Sequence, residues 1–557
     1  MRPSASALVL FGVLAACSDD ARTTGGRDAG ALDAAAPDAP FEVPAVTIPE
    51  PGLLRTAALV PGHVPAPNPV TGAASPDRYN ATRVVRYQLE GAPDPRAILV
   101  LVPGIFGGAG SLDPLARAIV LSAKAAGLEV EVWSIDRRSN LLEDQRGVDA
   151  AEAAGDAEIA YRYYAGTGSA GGERFAGFRR PGDVSFQSEW GLATHIEDLR
   201  RVMALVPKAS RRGHVFLGGH SLGGLITQVY GAWRFDDGSL GTDELAGLVL
   251  LDSALRNDEI SEAEYHGGHS GALFPSPGVD EIRRSAPYIE LPFLGPDVFP
   301  VLDIAALRVL FDPTGIIRTD DARNGALAFF LGLGKTELPA MTHRGALGFG
   351  FDYGSNPIDI FGATLGTPTG GAVELRPSLT GTRMLRFPSD PAATYDWQSA
   401  PGGAAGWTPL DALAHATVDG RTDLAEWYFP ARLSIDLEVA GDLRVPEGGW
   451  QAREGLRAFD GARIDAPLLA VSAGHGITQP ASYEPLRARI GPLSADRPAG
   501  ALPRRDPRAF RVVDVPSMSH LDVTLAVGAT DNPIPPTVVD FLGAHAAAGS
   551  LPSPTLP

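Results

Sequence analysis

From about residue 81 the chain alternates short apolar runs with longer stretches of helical spacing. Residues 81–91 (ATRVVRYQLEG) alternate apolar and polar positions in the period of two that marks a strand. Residues 97–104 (AILVLVPG) are continuously apolar, as expected of a central strand covered on both faces. Residues 111–127 carry helical spacing and stop at Gly127. The pattern continues with a strand at 128–136, an amphipathic helix at 189–206, a strand at 214–219, a helix at 222–235 and a strand at 245–253. Strands separated by helices imply right-handed crossovers and a mostly parallel sheet.

Between Leu255 and about Ala462 the alternation is lost, and Gly, Pro and aromatic residues dominate. It resumes with apolar runs at 466–474 and 509–517 and a helical stretch at 535–548. The spacing therefore predicts one sheet interrupted by an insertion of about 200 residues. A structureless loop of that length does not suit a compact domain, so the insertion is expected to be a packed cap. The expected division is a first core part at 52–255, a cap at 256–462 and a second core part at 463–557.

Composition adds two constraints. The 65 Gly and 48 Pro among 557 residues predict long and numerous loops. The formal charge of −19 lacks the basic footprint that binding to nucleic acid needs. No stretch after the amino terminus is apolar for long enough to form a transmembrane helix.

The first twenty residues, MRPSASALVLFGVLAACSDD, hold one early Arg2, an apolar run from 7 to 16 and then Cys17. The run is too short to span a bilayer and has the proportions of a secretory signal. Residues 14–17 (LAAC) resemble the bacterial lipoprotein signal, in which the Cys becomes the lipidated first residue of the mature chain. That resemblance implies a signal peptide at 1–16, a lipid anchor on Cys17 and a location at the bacterial cell envelope. Cys17 is the only Cys, so an internal disulfide framework is excluded. Residues 17–51 are rich in Ala, Asp, Gly and Pro, the composition of a disordered tether.

The chemistry concentrates at HVFLGGHSLGGLITQ, where a strand meets a helix through Gly219-His220-Ser221-Leu222-Gly223. This is the G-x-S-x-G nucleophile elbow, and the surrounding strand and helix give the short pattern its weight. The turn lifts the Ser221 hydroxyl above the sheet edge. It also puts the Leu222 N–H at a helix N-terminus, where it can hold an oxyanion. On these residues the sequence resembles the α/β-hydrolase superfamily, on its serine esterase and lipase branch, over about residues 80–255 and 460–548.

The resemblance implies an α/β fold with a mostly parallel central sheet, flanking helices and a large cap insertion. It implies a second oxyanion donor in VLVPGIFGG (100–108), expected at Ile105 with Phe106 as the neighbouring alternative. It also implies a base after the last strand. His520, in PSMSHLDVT directly after that strand, fits; His545 lies in the terminal helix.

The acid is the irregular member. The family usually carries it after the strand ending near Val471, but the corresponding site is Gly476, flanked by His475 and Ile477. Asp252 ends the preceding strand, and neighbouring strand ends lie about 4.8 Å apart, so its carboxylate can reach a mobile His loop. Glu484 and Asp522 are the alternatives, and His475 is expected in the wall of the site.

Residues 136–140 (DRRSN) follow a strand on the active-site side and resemble a corner of some lipases, where Arg and Asp can pair structurally. His266 and His269 sit in a Gly-rich stretch without a carboxylate pattern and are read as solvated cap residues, not metal ligands. No metal or organic cofactor is implied. The expected activity is hydrolysis of an ester or lipid substrate by a membrane-anchored serine esterase or lipase. A peptidase or acyltransferase would use the same three residues, and a non-catalytic binding protein on this fold is a further alternative.

Overall fold

A computed structural model describes residues 46–47, 52–256, 259–270, 275–290, 295–317, 339–378, 383–418, 424–526 and 531–557. The signal, Cys17 and the expected tether lie outside the described residues, apart from 46–47. Nine strands form the main sheet. The two-residue strand Val46–Thr47 forms one edge, pairing antiparallel with the first of eight longer strands. These are β1 (Leu53–Pro61), β2 (Ala81–Leu89), β3 (Ala97–Val102), β4 (Val130–Asp136), β5 (Val215–His220), β6 (Gly247–Leu251), β7 (Leu468–His475) and β8 (Phe510–Ser519). Their spatial order is β1-β2-β4-β3-β5-β6-β7-β8. β2 runs antiparallel to both neighbours, and all pairings from β4 to β8 are parallel. This is the α/β-hydrolase fold that the resemblance implied, with the mostly parallel sheet that the alternation predicted.

The continuous apolar runs have a direct cause. Along β3, Ile98, Val100 and Val102 join the core on one face of the sheet, while Ala97, Leu99 and Leu101 join the core on the other. A strand covered on both faces has no polar positions to show. Helices α1 (Asp113–Ala126) and α7 (Ile534–His545) cover the second face. Helices α2 (Leu192–Met203) and α3 (Leu222–Ala232) cover the first. Gly127 caps α1 in the left-handed conformation at φ 69°.

β1 was not legible in the alternation. Arg55 and Thr56 interrupt its apolar run, and Arg55 is buried against Asp113, 3.3 Å away. Two short helices, Arg146–Ala154 and Ala157–Tyr164, also escaped the pattern.

The described residues between β6 and β7 fold into helices and short strands. They include α4 (Phe299–Phe311), α5 (His343–Phe351), α6 (Leu410–Val418) and a three-stranded sheet centred on Thr394–Ser399. Buried side chains from this segment, among them Phe299, Leu307, Trp397, Leu413 and Phe429, belong to the same core as Ile98 and Val100. The insertion thus packs continuously onto one face of the sheet and over the ends of the central strands.

The constraint that shapes the site is the turn from β5 into α3. A Cβ on Gly219 would lie 2.2 Å from the Gly223 carbonyl, and one on Gly223 would lie 2.1 Å from the Val102 oxygen. Both obstacles are backbone and cannot swing aside. Gly223→Ala is therefore expected to lower unfolding stability by about 3 kcal/mol, the upper end for an overpacked site, measured by urea denaturation. A variant as stable as wild type would show that the turn relaxes.

Candidate active site

Ser221 sits between β5 and α3 with φ 54° and ψ −122°, a backbone state that non-glycine residues rarely hold. Its N–H donates to the Leu251 carbonyl at 3.0 Å, and its own carbonyl accepts from Gly224 N–H at 3.0 Å. Leu222 opens α3, so its N–H is among those that a helix leaves without an intrahelical acceptor. Gly104 approaches closely from the β3 end, where an added Cβ would lie 3.1 Å from Ser221 Cβ.

His520 follows β8 and is buried. Its Nδ1 lies 2.6 Å from Asp252 Oδ2. With Nδ1 engaged, Nε2 is the nitrogen left for a neighbour, and His520 and Ser221 line one cavity. No hydrogen bond joins the Ser221 hydroxyl to His520 among the described residues. Such contacts are often loose without substrate.

Asp252 is fully buried beyond the end of β6, with φ 45°. Besides His520, its carboxylate accepts from Thr478 Oγ1 at 2.6 Å, Ile477 N–H at 2.9 Å, Thr478 N–H at 3.0 Å and Ala473 N–H at 3.4 Å. The loop after β7, which has no acid of its own, therefore wraps the acid of the neighbouring strand. A Cβ at Gly476 would lie 2.0 Å from Asp252 Oδ2, so the expected position of the acid is filled by this carboxylate. Burial pushes the Asp252 pKa up. The hydrogen bond and charge of His520, with Thr478 and Ile477, outweigh burial and hold it below the usual carboxylate value.

The other acids stand elsewhere. Glu484 pairs with Arg487 at 2.6 Å on the surface. Asp522 is buried and accepts from Ser519 N–H and Oγ, Thr364 N–H and Oγ1, and Thr408 Oγ1, at 2.7–2.9 Å. It ties the His520 loop to the insertion. His475, expected in the wall, is instead exposed past an irregularity in the β7 register and stacks on Tyr353 at 4.8 Å. His269 pairs with Glu438 at 2.5 Å, and His266 lies near Asp280 and Glu454.

Ile105 and Phe106 line the cavity in front of Ser221. Phe106 has φ 54° and packs between Phe299 and Phe429, at 6.0 and 5.4 Å. The cavity has a volume of about 150 Å³ and is predominantly apolar. Phe299, Leu302, Ala305 and Arg308 of α4 line it at helical spacing, facing Ala346, Leu347 and Phe351 of α5. Among the described residues no group of three or more His, Cys, Asp or Glu is arranged to hold a metal.

Two features were missed by the sequence reading. His220, read only as a spacer in the elbow, packs its ring against that of His520 at 4.3 Å, tilted by 36°, and bonds its carbonyl through Nε2 at 3.0 Å. Arg137, in the DRRSN corner, holds the carbonyls of the oxyanion loop and pairs with Glu426 of the insertion. The corner itself was a signal; nothing local marked Glu426.

No protein-family model matches this sequence, and no curated protein does. Solved structures with a similar chain course include a protein from Sulfolobus solfataricus provisionally described as a lipase, at 13% identity and TM-score 0.43, covering 91% of this chain and 97% of that one. A thermophilic esterase from Thermogutta terrifontis is similar at 11% identity and TM-score 0.33, covering 88% and 99%. An epoxide hydrolase from an endophytic Streptomyces is similar at 12% identity and TM-score 0.36, covering 89% and 96%. Likeness at this level concerns chain course and not chemistry.

Burial, and next the charge of His520, push the His220 pKa from 6.5 to about 3. The unfolded chain takes up this proton as pH falls through 6.5, and the folded chain does not until about 3. Stability is therefore lost across that interval, at about 1.4 kcal/mol per pH unit for one proton. His220→Gln is expected to flatten the acid limb of the stability profile by that slope. Urea unfolding at pH 4.5 to 7 checks it, and parallel profiles for variant and wild type would refute the neutral state of His220.

Proposed function

We propose that the protein is a serine hydrolase that cleaves carboxylic esters through an acyl-serine intermediate. The observation that carries this reading is the 2.6 Å contact between His520 Nδ1 and the buried Asp252 carboxylate, with Nε2 left free beside Ser221. Asp252 fixes the imidazole tautomer and stabilises the imidazolium. His520 takes the Ser221 proton as Oγ attacks the ester carbonyl, then delivers it to the departing alcohol. The Leu222 N–H and the Ile105 N–H receive the oxyanion. Water then enters, gives its proton to His520 and releases the acid. The mainly apolar lining between α4 and α5 suits the hydrocarbon part of an ester or lipid.

A fluorophosphonate probe on the purified full chain tests the reading. Wild type is expected to label, and Ser221→Ala not to, with turnover of a p-nitrophenyl ester falling about 10⁶-fold. Asp252→Asn is expected to lower kcat on the order of 10³- to 10⁴-fold, since the amide favours the wrong tautomer. Full turnover by Asp252→Asn would remove it from the triad. Absence of both label and ester turnover in wild type would favour a binding protein, and cleavage of peptide amides in preference to esters would favour a peptidase.

We further propose, on the sequence of residues 1–17 alone, that Cys17 is lipidated and the hydrolase is tethered at a bacterial cell envelope. Labelled palmitate supplied to expressing cells is expected to enter wild type and not Cys17→Ser. Equal incorporation would rule the anchor out.

A further inference from the structure

The oxyanion loop is held from behind by a buried cation. Arg137, at the end of β4, directs its guanidinium to the carbonyls of Pro103 at 2.9 Å, Gly104 and Gly107 at 3.2 Å. A trans peptide sets its C=O and N–H in opposite directions. The Gly104 carbonyl shares its peptide plane with the Ile105 N–H. Drawing that carbonyl onto Arg137 therefore turns the Ile105 N–H away from the guanidinium. Among the described residues this N–H has no hydrogen-bond acceptor, and Ile105 lines the cavity with Ser221. Phe106 lacks such an anchor, since the plane holding its N–H carries the Ile105 carbonyl, which Arg137 does not touch.

Arg137 is itself buried, and a lone charge there would cost several kcal/mol. Its partner comes from the insertion. Glu426, fully buried, receives Arg137 Nε at 2.9 Å and Nη2 at 2.8 Å, and Ser139 Oγ bonds its other oxygen. The same residue donates its N–H to the Phe106 carbonyl at 2.8 Å, and Gly108 N–H donates to Leu424 at 2.8 Å. The segment carrying Glu426 thus pairs with the oxyanion loop through its backbone and neutralises the loop's anchor through its side chain.

We infer that Glu426 is a positioning residue of the ester hydrolase, acting through Arg137 to aim the Ile105 N–H at the developing oxyanion. The inference rests on the catalytic reading above. It makes the insertion a fixed part of the catalytic centre.

The test compares full-length wild type, Glu426→Gln and Ser139→Ala. Each is titrated with fluorophosphonate so that rates refer to active sites and not to total protein. Glu426→Gln is expected to lower kcat about 10- to 100-fold, somewhat less than outright loss of an oxyanion donor, with KM within about twofold. Affinity for an alkylboronic acid, which forms a tetrahedral adduct on Ser221, is expected to fall in parallel. Ser139→Ala removes one bond to Glu426 and leaves the ion pair, so it guards against misfolding of the first variant. A several-fold fall in kcat with the same unchanged KM is expected. A role confined to folding would lower the titrated fraction and the melting temperature while leaving kcat per site and boronate affinity at wild-type values, and that result in both variants overturns the inference. Wild type that neither labels nor turns over ester overturns the catalytic reading, and this inference with it.

Discussion

The hydrogen bond between His520 and the buried Asp252 carboxylate is the interaction around which this site is arranged. A carboxylate buried without partners would take up a proton instead of staying charged. Asp252 avoids this because the chain from 473 to 478 folds around it, offering three backbone N–H groups and one hydroxyl. That loop needs the close approach Gly476 allows, and it needs β7 to run beside β6 in register. The carboxylate at the end of β6 and the shape of the loop after β7 are thus two sides of one solution. A side chain at 476 and a charged Asp252 cannot occupy the same space.

The same cost of burying charge explains how the insertion is joined to the core. Arg137 requires Glu426, and Asp522 requires Thr364 and Thr408, and each partner comes from the insertion. Breaking the first would strand a buried charge, and breaking the second would leave a buried carboxylate short of hydrogen bonds, both more costly than breaking an exposed pair. One contact stands behind the oxyanion loop and the other beneath the His520 loop. Opening the insertion as a rigid lid would therefore disturb both loops that flank Ser221. Any movement that opens the cavity is better sought between α4 and α5, whose facing side chains are mainly apolar and hold each other without direction.

What the sequence disclosed follows from how local each constraint is. β3 and β6 were legible because strands covered on both faces carry few polar residues, and the two-faced core along Ala97–Val102 is the structural counterpart. Ser221 was legible because the glycines that permit its turn lie within three residues of it. Asp252 could be named because it ends a strand, but its loop partners lie more than 220 residues away in sequence and left no local trace. Glu426 is 289 residues from Arg137 and is an ordinary Glu in an irregular stretch. His475 misled because its position beside the missing acid suggested the site, whereas it lies past an irregularity in the β7 register and stacks on Tyr353.

Backbone conformation ties these pieces together. Four non-glycine residues among those described have positive φ, namely Phe106, Ser221, Asp252 and Leu443. Three of them follow β3, β5 and β6, which are adjacent in the sheet. Each such residue costs of order 1–3 kcal/mol and persists only where its surroundings over-determine it. The surroundings here are known: Arg137 and Glu426 for the loop of Phe106, the Gly219–Gly223 contact for Ser221, and the loop after β7 for Asp252. The strain therefore collects at three adjacent strand ends, each held by its own neighbours. Their alignment along neighbouring strand ends is the backbone counterpart of the side-chain geometry at His520. The two lines of argument are independent, since φ angles do not depend on where an imidazole points.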